Sequence, residues 1–402
     1  MTSATKLKFT GARVLGLDIL RVVAIFLVLG RHMTFDRSQV PTPVWLVFAV
    51  WMRGGWVGVD LFFVLSGFLV SGLLFADYRK RGKLSVGRFY FRRGWKIYPP
   101  FLVLIGVTAL VDIIRGNLAR WQYVVELCFL QNYLEGRWNH TWSLAVEEHF
   151  YLVLPALLAG LVWLGRGRVD PFKPLFGVVA LTALALLSLR TYLYYSTHSF
   201  SYLGNLFPTH LRLDSLLFGV LIAYLYHFHN DWFVETLGPR RRWLIAGGIA
   251  ALLPAFLFQL EKTPFIFTAG LTLFYLGGGA ILAGVLLCEL PRNRVTVTLG
   301  MIGAYSYSIY LWHMPVLVWG MPALERLVAR KLGFAVEVSV YLVGSILAGI
   351  IMAKLVEVPS LRLRDRWLPA RGTSHSEGAP AQPSPPVLDA ESASGLLLNA
   401  GD

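Results

Sequence analysis

Ten apolar stretches punctuate this chain, near residues 15–33, 56–76, 98–114, 141–164, 175–195, 212–228, 243–260, 265–288, 303–320 and 338–356. Each approaches the roughly 20 residues an α-helix needs to cross a bilayer core. The pattern predicts an all-α integral membrane protein, a bundle of about ten transmembrane helices around a central channel. Composition agrees. With 56% hydrophobic residues, 15% charged and a mean hydropathy of +0.58, the chain lies far from the balance of a soluble domain.

The basic residues set an orientation. The amino terminus and the connections 77–97, 165–174, 229–242, 289–302 and 357–371 hold 23 Lys and Arg, and the intervening connections hold 9. Cytoplasmic segments are the richer ones, so both termini are expected in the cytoplasm and the protein in the cell inner (plasma) membrane. The net charge of +14 then reads as topology plus attraction to anionic lipid headgroups. Nucleic acid is excluded as a partner because no soluble basic domain exists to bind it.

Three regions follow: a cytoplasmic N-terminus at 1–12, a membrane domain at 13–368, and a tail at 369–402. The tail is rich in Ala, Ser, Pro and Gly and is expected to be disordered. The first apolar segment follows Lys6, Lys8 and Arg13 like a secretion signal, but it contains Arg21 and no cleavage site follows, so it is read as a retained helix. Cys128 and Cys288 fall on opposite sides, which predicts neither a disulfide nor a thiol–metal site. With no room for an extra soluble domain, catalysis is expected within the helices. The outward segment from Trp121 to Leu134 is too short and polar to span, and is expected to lie in the interface over the outer mouth.

Ionisable residues inside apolar helices are costly and need a reason. Arg21 and His32 stand eleven residues apart, which is three turns with roughly 20° left over, so they share one helix face about 16 Å apart. Glu147 and Glu148 lie about 10 Å below the outer surface, at a depth similar to His32. Ser143 and Tyr151, one turn either side of Glu147, mark it as the inward-facing acid. An imidazole with an orienting carboxylate has what a general base needs.

Asp60, Arg212 and Asp214 at outer helix ends, with His313 in the stripe Ser306, Tyr310, His313, complete a convergent outer site. Together with Ser143 and Tyr151 they are candidate substrate-binding residues. Asp60, Arg212 and Asp214 could instead snorkel to headgroups, and His313 could make a structural interhelical hydrogen bond. No HxxxH pair is present, so no metal site is expected.

A cytoplasmic run, Arg79, Lys80, Arg81, Lys83, Arg88, Arg92, Arg93 and Lys96, precedes Tyr98, Pro99 and Pro100. Arg92, Arg93 and Lys96 lie nearest the next helix and suit phosphate oxygens. The absence of a Walker-type loop argues against nucleotide hydrolysis.

Seven segments occur in order: "LDILRVVAIFLVLGRH", "GVDLFFVLSGFLVSG", "FYFRRGWKIYPP", "WSLAVEEHFYLVLP", "HLRLDSLLFGVL", "YSYSIYLWHMPV" and "VEVPSLR". Together they resemble the acyltransferase-3 family of membrane O-acyltransferases, from about residue 13 to 364. The resemblance implies transfer of an acyl group, acetyl being the expected one, commonly from acyl-CoA to a hydroxyl of a sugar, polysaccharide or glycosylated small molecule. It also implies that Arg21 and His32 are essential. The sequence departs from the family at Lys96, where an arginine is usual, and at His149, where a glutamine is common.

The expected mechanism places the donor's phosphates at Arg92, Arg93 and Lys96, and its pantetheine arm past Arg21. His32, held by Glu147 or Glu148, removes the acceptor's hydroxyl proton; an acyl-histidine intermediate is the alternative. No permanently bound cofactor is expected, with acyl-CoA serving as donor substrate. The rival reading is a proton-coupled sugar or drug transporter, because buried His, Arg and Glu also build proton relays.

Overall fold

The computed structural model describes residues 11–34, 37–329 and 331–368, and the regular structure among them is helical. In chain order the helices are α1 (Gly11–His32), α2 (Thr42–Gly54), α3 (Gly58–Arg81), α4 (Val86–Ile114), α5 (Arg120–Leu127), α6 (Trp142–Leu164), α7 (Leu175–Thr197), α8 (Leu213–Phe228) and α9 (Asn230–Leu237). They continue as α10 (Arg241–Leu257), α11 (Pro264–Phe267), α12 (Ala269–Leu286), α13 (Arg294–Ala304), α14 (Ser306–Pro315), α15 (Met321–Leu327), α16 (Phe334–Met352) and α17 (Val358–Trp367). The expected disordered tail and most of the expected N-terminal region lie outside the described residues.

Among the described residues, six helical runs are long and apolar enough to cross a membrane: Thr42–Arg81, Val86–Ile114, Asn139–Leu164, Leu175–Thr197, Ala269–Leu286 and Phe334–Trp367. The protein is a multi-pass membrane protein. All ten apolar stretches are helical, but four fall short of that criterion. α1 carries Asp18, Arg21 and Arg31, α8 and α10 are short, and the ninth stretch is broken between α13 and α14.

Two boundaries differ from the sequence reading for a shared reason. Pro99 and Pro100 resemble a helix start, yet α4 runs through them from Val86, so Arg88, Arg92, Arg93 and Lys96 are helical rather than part of a loop. Pro99 removes the N–H that would bond the Trp95 carbonyl. Ser360 Oγ on α17 donates to that carbonyl at 2.9 Å, so the helix survives its proline. Likewise α2 and α3 form one run, bent through a single tight turn at Gly55–Val57.

The centre of the bundle is α3. In the apolar window of the α2–α3 run 78% is buried, against 17% for α7, which leaves α7's leucines for lipid. α3 lies directly on α8: a Cβ on Gly67 would fall 2.0 Å from the Leu216 carbonyl oxygen, and one on Gly219 would fall 2.2 Å from that of Val64. Only glycine allows such backbone contact. α13 is seated on α1 in the same way, through Gly303 against the Asp18 carbonyl.

Candidate active site

At the C-terminal end of α1, His32 borders a cavity of about 340 Å³. α1 contributes Arg31 and His32 to its wall, the turn before α6 contributes Asn139 and His140, and Trp56, Trp142, Arg212 and Tyr310 complete the inner face. Leu206, Phe207 and Leu260 also line it, with Phe207 stacked on Trp142 at 4.5 Å between ring centroids, and Tyr202 stands at its rim. That rim is latched: Arg31 donates to Tyr202 Oη at 2.9 Å and to Glu261 Oε1 at 2.8 Å, and Tyr202 donates to the same carboxylate at 2.5 Å. The Trp121–Leu134 segment, expected over this mouth, contributes nothing to the wall. Instead Tyr123 on α5 anchors to Asp112 of α4 at 2.5 Å, because a buried hydroxyl seeks a buried acceptor.

Three imidazoles gather here, His32 and His140 in the cavity wall and His313 behind them. The ring centroids of His32 and His313 lie 5.2 Å apart, and those of His313 and His140 lie 5.0 Å apart. His313 is fully buried and does not line the cavity. Tyr310 ties this layer together, with its hydroxyl 2.6 Å from Ser143 Oγ and donating to the His140 carbonyl. The sequence reading missed His140 because it precedes the apolar run of α6.

The acids do not reach His32, which corrects the expected contact. Equal axial depth brought them level with His32, but α6 turns them toward α4. Glu147 accepts from Tyr151 at 2.7 Å and lies 3.8 Å from Arg93, whose guanidinium donates to Tyr151 and covers its ring at 4.1 Å. Ser66 on α3 closes the group through Tyr151. Glu148 accepts from Tyr98 at 3.1 Å. His149, on the other face of α6, meets Thr209 at 2.7 Å and stays outside the site.

Asp60, Arg212 and Asp214 are all buried rather than turned to headgroups. Arg212, which lines the cavity, pairs with Asp60 at 2.6 Å. Asp214 pairs instead with Arg190 of α7 at 2.8 Å, and Arg190 also donates to Thr272 and to the Leu211 carbonyl. Arg190 was missed, although an arginine inside an apolar run is itself a signal.

Deeper along the bundle, Arg21 pairs with Asp18 at 2.6 Å, about three turns from His32. It stands too far away to touch an intermediate at that imidazole. The three donor-binding candidates on α4 each face a carboxylate: Arg93 faces Glu147, Lys96 bonds Glu357, and Arg92 lies 3.6 Å from Asp365. Glu357, placed by a wide helical turn at Ala353–Glu357, also accepts from Ser308 at 2.5 Å. Two polar groups thus stand between the cavity and the basic end of α4: Tyr310 with Ser143 beside the cavity, and Tyr151 with Glu147 and Arg93 toward α4.

These features define a helical membrane protein with a histidine-bordered, aromatic-walled cavity and a basic opposite end. The chain belongs to the acyltransferase domain family, whose match covers residues 14–354. It is 28% identical over 338 residues to a peptidoglycan O-acetyltransferase of Listeria monocytogenes, spanning 77% of this chain and 50% of that relative. It is 27% identical over 332 residues to an O-acetyltransferase of Staphylococcus aureus, spanning 76% and 50% respectively. The chain spans about half the length of the curated relatives it matches. No solved structure matches it significantly.

Proposed function

We propose that the chain is a membrane-bound O-acyltransferase that moves an acyl group, acetyl as in the named relatives, from acyl-CoA to a hydroxyl of a cell-surface carbohydrate such as peptidoglycan. The observation that carries this reading is His32 at a cavity walled by Trp56, Trp142, Tyr202, Phe207 and Tyr310, with Arg31, Arg212 and Asn139 among them. Broad apolar faces with a few polar groups suit a sugar ring and its hydroxyls. The cavity end faces outward, and the Arg92 end and both termini face the cytoplasm.

The ring nitrogen of His32 that faces the cavity takes the hydroxyl proton as the oxygen attacks the thioester carbonyl. Arg31, Arg212 and Asn139 are the donors nearest the oxyanion that forms there. The carbon–sulfur bond then breaks, the ester departs, and the imidazolium returns its proton to the thiolate. At the other end, the donor's phosphates bind Arg92, Arg93 and Lys96, displacing Asp365, Glu147 and Glu357 from these cations. Arg21 and Asp18 lie along the path of the pantetheine arm.

The test uses sealed vesicles of known orientation. Acetyl-CoA on the cytoplasmic face should acetylate peptidoglycan fragments supplied outside, and His32→Ala should abolish transfer while the protein still inserts. Activity of His32→Ala within a few-fold of the parent refutes the base assignment. A requirement for both substrates on the cytoplasmic face refutes the through-membrane route.

A further inference from the structure

With the acidic pair turned to α4, His32 needs another partner to fix its ring. We propose that His313 is the positioning residue for His32: its Nε2 accepts the His32 ring N–H and so presents the other His32 nitrogen, lone pair outward, to the cavity. This rests on reading His32 as the base.

The tautomer of His313 follows from its surroundings. Its Nδ1 lies 2.6 Å from the Tyr310 carbonyl, one turn back on α14, and a carbonyl only accepts, so Nδ1 carries the hydrogen. Nε2 is then a lone-pair acceptor. It is enclosed and has no hydrogen-bond partner among the described residues, a state that is costly if left unmet. His32 and His140 both stand between His313 and the cavity; the His32 ring lies with its centroid 5.2 Å away and its plane tilted at 51°, so a modest ring rotation brings N–H to N.

The other neighbour, His140, meets His313 nearly edge-on at 80°. Both His140 ring nitrogens are likewise without a hydrogen-bond partner among the described residues, and the Leu311 carbonyl beside that ring, which Pro315 deprives of its helical N–H, is the acceptor His140 can turn to. Because His313 does not line the cavity, it acts through His32 and not by touching the acceptor.

The arrangement is a carbonyl–imidazole–imidazole chain, the analogue of an orienting group behind a catalytic base. When His32 takes the acceptor's proton, the bond to His313 becomes charge-assisted and strengthens, favouring the protonated form. The other charged or titratable groups around His32 are Arg31 on α1 itself, His140 before α6, Tyr310 on α14, Tyr202, and Arg212 at the cavity wall with its partner Asp60.

The test combines kinetics with a label that needs no acceptor. Diethylpyrocarbonate modifies only the unprotonated imidazole, so mass spectrometry of His32 labelling against pH gives its titration midpoint in the solubilised full-length protein. His313→Ala should move that midpoint to lower pH, and His313→Gln, which retains an acceptor oxygen, should restore it. In transfer from acetyl-CoA to N-acetylglucosaminyl-N-acetylmuramic acid oligosaccharides, His313→Ala should lower kcat about tenfold, the size of one hydrogen bond, with the acceptor KM unchanged and His313→Gln largely active.

An unchanged midpoint in His313→Ala overturns the proposal, as does a change confined to KM. The same midpoint shift in His140→Phe assigns the role to His140 and also overturns it. Retained transfer in His32→Ala would instead defeat the proposed function, while the labelling midpoints would still report whether the two rings are paired.

Discussion

Asp214 offers the sharpest choice between a substrate group and a structural one. Its side chain and that of Arg190 are each 1% exposed, with their charges 2.8 Å apart. At an effective dielectric constant of about 20 their attraction is about 6 kcal/mol, much of it offset by the desolvation of both groups. Removing one partner strands the other charge in the bundle, at a cost of about 3–5 kcal/mol. Asp214→Asn and Arg190→Gln should each lower the melting temperature in detergent by roughly 6–15 °C, read by intrinsic fluorescence. The double variant should recover more than half of that loss, because two amides can bond each other and position 190 keeps Thr272 and the Leu211 carbonyl as acceptors. If Asp214→Asn melts within about 2 °C of the parent but loses transfer activity, the buried-pair argument fails and Asp214 is a substrate contact.

Glu147→Gln should damage transfer more than Glu148→Gln, because Glu147 balances Arg93 through a direct ion pair whereas Glu148 holds only the Tyr98 hydroxyl; equal activities in membrane assays would refute this ranking. At the rim, burial acts to raise the Glu261 pKa, but hydrogen bonds from Tyr202 and Arg31 outweigh it and hold the carboxyl below its ordinary value of 4.5. A depressed acid stabilises its contact fully above the unfolded pKa and loses that contribution as pH falls through the folded one. Hydrogen exchange of residues 199–208, corrected for intrinsic rates, should therefore be flat from neutral pH down to about 5 and accelerate below it, and Glu261→Gln should remove the step. An unaltered profile in that variant would show that the latch is not Glu261. Gly67→Ala should lower folded yield sharply, since its Cβ would fall 2.0 Å from a backbone oxygen of α8 that cannot yield without moving the helix; a parent-like yield and melting point would show that α3 and α8 can separate at little cost.

Hydropathy and helical periodicity carry the class of this protein, because apolar runs and a 100° step per residue are properties of a single segment. Hence the helices and the placement of His32 and Arg21 three turns apart on α1 were legible along the chain. The limits of single segments show equally plainly. Depth along an axis brought Glu147 level with His32, but the rotation of α6 against its neighbours gives the acid to Arg93 and leaves His313 and His140 around the histidine. Arg212 and Asp214 stand two residues apart in the chain, yet such positions on a helix point apart, and each found its counter-charge on another element, Asp60 and Arg190 respectively. α4 runs through two prolines because a serine from the far end of the chain supplies the missing donor. Pairings of this kind depend on which faces meet across the bundle, and that is decided by close contacts such as Gly67 on α8 and Gly303 on α1, which no local pattern encodes.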